Sequence, residues 1–170
     1  MTSTITRILV PTDFSTTADA ALDFAKSIAR TFGASLHLVH VFEDPVVAGG
    51  FPEAFAPLPP NMRAALIDDA NTQLANRVSD AERERFKATT KVVGGLGAAA
   101  IVEYAQEHDI DLIVMGTHGR TGMAHLLIGS VAERVVRLAP CPVLTVHADK
   151  TIVKQPQRAY LPEMPTQIPA

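Results

Sequence analysis

Gly116, Gly119, Gly129 and Ser130 stand between an apolar run that ends at Met115 and a stretch of helical periodicity that follows Ser130. Their spacing is G-x-x-G, nine residues, then G-S. Glycine costs backbone entropy, so several around one strand-to-helix turn need an offsetting gain. Turn geometry is one reading for each glycine alone. For the full spacing, the chemistry points to phosphate. A helix N-terminus offers unpaired N–H groups and a partial positive charge, and bare glycine backbone lets phosphate lie against the amides. Ser130 adds a hydroxyl, and Arg120 is the nearby cation. No lysine follows Gly129, so this is not a P-loop.

Other residues carry candidate chemistry. Asp13, in "VPTDFS", is read as the only carboxylate at the C-terminal end of a strand that could face a ligand crevice. If strands one and four are neighbours, it lies beside Gly116. It either accepts from a ribose hydroxyl or base amine, or it serves the turn beside Ser15. Gly95, Gly97 and Ala100 match a dinucleotide fingerprint, but the next strand ends in "VMGTHG" without a carboxylate, so a tight turn is the preferred reading. His37 and His40 share a strand at odd separation and point to opposite faces. His118 either touches phosphate or is a solvated loop residue. No HxxxH or CxxC pair suggests a metal site, and no nucleophile elbow is present. The single cysteine, Cys141, reads as a small half-buried residue.

These residues need a scaffold. Apolar runs at 7–12, 35–42, 88–93, 111–116 and 142–147 read as strands. Near-continuous apolar strands alternating with helices imply a parallel sheet covered on both faces. One helix carries Ala18, Ala21, Leu22, Ala25, Ile28, Ala29 and Phe32 on its inner face, capped by Ser15 or Thr16 and ended by Gly33. A long second helix runs from Met62 to Ala81, a short third includes Ile101, Val102 and Ala105, and a fourth includes Val131, Val135 and Leu138. The fold class is a three-layer α/β domain, and ligands of such sheets bind outside the C-terminal strand ends where strand order reverses. The connection 43–61 is long and rich in Gly and Pro, which suits a lid, an interface loop or a mobile segment. Expected boundaries are a nucleotide-binding domain over 1–148 and an irregular Pro-rich tail over 149–170.

Composition sets outer bounds. A net charge of −3 without a basic block argues against nucleic-acid or membrane-surface partners. One cysteine cannot form an internal disulfide, and no apolar segment is long enough to span a bilayer. The expected location is cytoplasmic.

The stretches "ILVPTDFS", "LHLVHV", "DLIVMGTHGRTG" and "LLIGSVAERVVRLAPCPVLTV" together resemble the universal stress protein family over roughly residues 5–147. The resemblance implies a doubly wound five-stranded parallel sheet in the order 3-2-1-4-5, of the adenine nucleotide alpha hydrolase-like type, and a homodimer. It implies ATP as ligand, with Mg²⁺ held mainly through phosphates. Pro11, Thr12 and Asp13 would line the adenosine pocket, and Val41 would hold adenine through its backbone. Met115 and Gly116 would lie beneath ribose and phosphates. Gly119, Arg120, Gly129, Ser130 and Val131 would wrap the phosphates, with His118 beside them. His125 stands where many members carry Lys or Arg. Three functions follow: a nucleotide-binding regulatory module of stress response with an unknown protein partner, a slow ATPase or adenylate-chemistry enzyme, or an interaction scaffold. The first leads, because the phosphate signature is whole while general-base candidates are missing. The homodimer would form through the edge strand 142–147.

Overall fold

In the computed structural model, residues 4–43, 58–117 and 129–147 are described. The elements run β1 (Arg7–Pro11), α1 (Thr16–Phe32), β2 (Ser35–Phe42), α2 (Pro60–Asn76), α3 (Asp80–Arg85), β3 (Thr89–Gly94), α4 (Gly97–Glu107), β4 (Leu112–Gly116), α5 (Ser130–Leu138) and β5 (Val143–Val146). The five strands form one parallel sheet in the order β3-β2-β1-β4-β5. Strand alternation sorts the core into two layers. Ile8, Val10, Leu36, Leu38 and Val114 face α1 and α2. Leu9, Val39, Ile113 and Met115 face α4 and α5. The reversal of strand order falls between β1 and β4.

α1 begins where Ser15 Oγ accepts from the Ala18 N–H at 3.2 Å and ends at Gly33, whose φ of 69° suits a residue without Cβ. Its buried face is mostly alanine, which lets the helix lie close on the sheet. Phe32 departs from the expected inner face and is 54% exposed.

The second helix is corrected. It breaks after Asn76, and a separate short helix starts at Asp80. The cause is a capping box. Glu82 N–H donates to Ser79 Oγ at 3.4 Å, and the Glu82 carboxylate accepts from Ser79 N–H at 2.9 Å. Val78 sits in the break and is buried all the same, so apolar periodicity runs straight through a turn.

Candidate functional site

A cavity of about 530 Å³ opens at the C-terminal ends of the strands, over the switch point between β1 and β4. That volume is ordinary for a cofactor-sized ligand. Pro11, Thr12 and Asp13 reach it from the end of β1, Val41 from β2, Met115 and Gly116 from β4, and Gly129, Ser130 and Val131 from the start of α5. His118, Gly119 and Arg120 lie outside the described residues, as do His125, most of the 43–61 connection and the tail beyond 147.

The β1–α1 turn is built in detail. Thr12 extends the ladder by donating its N–H to Val39 O at 2.8 Å, and its Oγ1 accepts from the Phe14 N–H at 3.0 Å. Asp13 Oδ1 accepts from Ser15 N–H at 3.1 Å and from Ser15 Oγ at 2.6 Å. Asp13 therefore performs the turn role and also lines the cavity. Phe14 has φ 67°, an uncommon and strained conformation for a bulky side chain. Its surroundings hold it there. The Arg77 guanidinium lies 4.7 Å above its ring, Arg77 Nη2 donates to Phe14 O at 3.3 Å, and His40 stacks on the ring at 4.4 Å. His40 Nδ1 is 2.8 Å from Thr12 O. A carbonyl only accepts, so this nitrogen carries the proton.

The β4 end answers the glycine question in part. A Cβ on Gly116 would stand 2.9 Å from Thr17 Cγ2 and 3.1 Å from the Thr17 backbone carbon. Gly116 is thus required by the first turn of α1 packed against it, whatever else approaches. Beyond it, buried Thr117 donates its N–H to Val146 O at 3.0 Å and accepts from Gly129 N–H at 2.6 Å. The second bond ties the start of α5 to the end of β4. The N-cap Gly129 has no side chain and no side chain caps α5 among the described residues, so its first-turn N–H groups are suited to an anion. Gly95 has the turn role preferred for it: its φ is 148°, and a Cβ there would meet the Ala100 side chain at 2.9 Å.

Asp13 is not the only carboxylate at this end of the sheet. Glu43, one residue past β2, and Asp69 of α2 also line the cavity, and no lysine or arginine does among the described residues. Glu43 was missed because it was grouped with the Gly/Pro-rich connection; the signal was its place two residues beyond Val41. Asp69 and Gln73 come from α2, whose position over the crevice no motif announces. His37 and His40 do point to opposite faces: His37 meets Tyr104 of α4, and His40 meets the β1–α1 turn. Among the described residues no three metal-ligating side chains come together.

Fold and crevice define a doubly wound α/β protein with a ligand cavity at its topological switch point. The chain matches the model of the universal stress protein family over residues 4–147, and it belongs to that family. It is 37% identical over 144 residues to universal stress protein MJ0531 of Methanocaldococcus jannaschii, covering 85% of this chain and 83% of that one. The solved structure of the MJ0577 protein of the same organism is 30% identical, with a TM-score of 0.74, covering 87% and 99% of the two chains. A universal stress protein solved in complex with cAMP is 27% identical, with a TM-score of 0.55 over 86% of this chain and 99% of that one.

Proposed function

We propose that this protein is an ATP-binding regulatory module of the stress response, whose nucleotide state sets its engagement of a protein partner. What carries the reading is the convergence on one cavity of segments more than 100 residues apart in sequence, from Pro11 to Val131. Adenosine would occupy the end bordered by Asp13 and Val41. The triphosphate would reach Gly129, Ser130 and the uncapped start of α5, with Arg120 and Gly119 from the adjoining segment and Mg²⁺ on its oxygens. The cAMP complex of the relative above supports an adenine nucleotide and makes cAMP the competing ligand.

Turnover is expected to be slow. Rapid phosphoryl transfer needs a group that orients the attacking water and charge that gains value in the transition state. Helix amides and Ser130 bind ground and transition states alike, which lowers the dissociation constant without raising the rate. The test is calorimetric titration with Mg²⁺-ATP and cAMP, followed by phosphate release at saturating ATP. Binding with turnover far below ~10 s⁻¹ is expected. Turnover near that value, lost in His118→Ala with binding intact, makes the protein an enzyme instead.

Among the described residues β5 pairs with β4 alone, and its residues are half-buried. An open apolar edge is a liability unless paired. Antiparallel pairing of two β5 edges would close it in a homodimer. Light scattering that reports a monomer at micromolar concentration removes this part of the reading.

A further inference from the structure

Glu43 makes a contact that turn geometry does not require. Its Oε1 accepts from the Gly97 N–H at 2.6 Å, at the start of α4. Gly97 permits this approach. A Cβ there would stand 2.6 Å from Glu43 Oε1 and 3.4 Å from Val131 Cγ2. Gly97 has no positive φ, so glycine at this position serves clearance and not backbone conformation. The carboxylate is thereby fixed at the rim of the cavity, beside the first turn of α5. Its Oε2 has no hydrogen-bond partner among the described residues.

We propose that Glu43 is a specificity-determining residue that accepts a hydrogen bond from a ribose hydroxyl of the bound nucleotide. The inference rests on the nucleotide-binding reading above and adds to Asp13 a second carboxylate for the sugar. A carboxylate only accepts, so its partner on the ligand is a hydroxyl or an amine and never a phosphate oxygen. Position selects the hydroxyl. Glu43 lies two residues past Val41, at the base end, and within van der Waals reach of the space beside Val131, at the phosphate end. The sugar is what joins base to phosphate. In dinucleotide-binding α/β folds, an acidic residue beyond a strand end takes the same part toward the ribose. Here the carboxylate comes from β2 and is steadied by the glycine turn of α4. The Gly95-x-Gly97 cluster thus lacks an acid on the strand that follows it and obtains one from the end of β2, the strand paired with β3.

The experiment compares dissociation constants for Mg²⁺-ATP, 2′-deoxy-ATP and 3′-deoxy-ATP by calorimetry. Every ligand carries the same triphosphate, so ratios between them cancel any general charge effect of a mutation. The native protein should prefer ATP over at least one deoxy ligand by about tenfold, the scale of one hydrogen bond to a charged acceptor at a partly exposed site. Glu43→Ala removes the carboxylate and leaves nothing to pair with a ribose hydroxyl, so the ratio should fall to about twofold or less. Gly97→Ala should do the same by pushing the carboxylate away, with a circular-dichroism melt confirming the fold. A native protein indifferent to both deoxy ligands, or a preference that persists in Glu43→Ala, overturns the assignment. A native protein that binds none of the three nucleotides overturns the nucleotide-binding reading itself, and this inference with it.

Discussion

The two ends of the sheet treat their carboxylates in opposite ways. At the N-terminal end, Asp111 Oδ2 accepts from Thr6 N–H at 2.8 Å, Thr6 Oγ1 at 2.6 Å and Arg7 N–H at 2.9 Å. Burial works to raise its pKa, but the Thr6 and Arg7 hydrogen bonds and the Arg7 charge outweigh it and hold the carboxyl below its usual range. Nearby, His37 Nδ1 lies 3.0 Å from the Tyr104 hydroxyl, and the Tyr104 ring stacks on His108 at 3.8 Å. Burial pushes the Tyr104 hydroxyl up. It lowers His37, together with the neighbouring His108 and Arg7. Asp111, His37 and Tyr104 thus have partners within the chain, while Arg7 Nε is buried without one among the described residues. At the C-terminal end, Glu43 gives one oxygen to the chain and borders a cavity, and α5 starts without a capping side chain. At the C-terminal end, then, Asp13 is held by Ser15 while Glu43 and the start of α5 border the cavity, and at the N-terminal end Asp111 serves the chain alone.

If that division is right, substitutions at the two ends should separate binding from stability. The largest binding effect is expected for Gly129→Val. Gly129 has φ −71° and ψ 154°, which a valine backbone adopts freely, so the fold should survive. Its side chain would fill the space in front of the α5 amides. Mg²⁺-ATP affinity should fall by about 100-fold or more, with a melting temperature within about 2 °C of the native protein. Calorimetry in which Gly129→Val binds like the native protein breaks the assignment of phosphate to this end.

The opposite experiment is Asp111→Ala. It removes three hydrogen bonds to a charged acceptor and leaves two backbone N–H groups unpaired. The expected loss is about 2 kcal/mol, reduced from the full sum because the site is partly exposed. Urea unfolding measures it. Mg²⁺-ATP affinity should stay within about twofold of native. A large loss of affinity in the folded protein would show that the two ends are not independent.

How much of this division was legible in the sequence depends on what each feature needed. The strands were legible because both faces are buried, so each reads as a continuous apolar run. The glycine signature was legible because rare spacing is a local property. The break between α2 and α3 was written as Ser79-x-x-Glu82, yet buried Val78 kept the apolar period intact across it. Gly116 read as turn or ligand geometry and not as a packing requirement, because its steric partner, Thr17, is 99 residues away in sequence and meets it only when β1 and β4 pair. Glu43 was harder to read for the same reason: its meaning comes from Gly97, 54 residues away, just past the neighbouring strand β3. Pairings across the sheet are set by topology, and a one-dimensional pattern does not carry them.

The smallest expected effect belongs to a carboxylate that lies at neither end. Glu82 joins α3 to α1 through Lys26 Nζ at 2.9 Å and also closes the capping box with Ser79. The Lys26 hydrogen bond, then the Ser79 backbone bond, pull its pKa down from 4.5 to about 2 against a smaller opposing effect of burial. A depressed carboxylate stabilises the fold when ionised. Its contribution is therefore full above pH 4.5 and is lost as pH falls toward 2, where the folded form also takes up the proton. The side chain is 33% exposed, so solvent screening keeps the contribution to about 1 kcal/mol or less. Glu82→Gln retains the capping box geometry and removes only the charge. Native and variant should differ in urea stability by that amount at pH 6 and converge near pH 2, with Mg²⁺-ATP affinity at pH 7 the same in both. A stability difference that holds constant from pH 6 to pH 2 would show that Glu82 acts through packing. An altered ATP affinity would show that the α1–α3 link reaches the cavity, and that structural and binding carboxylates are not separable in this fold.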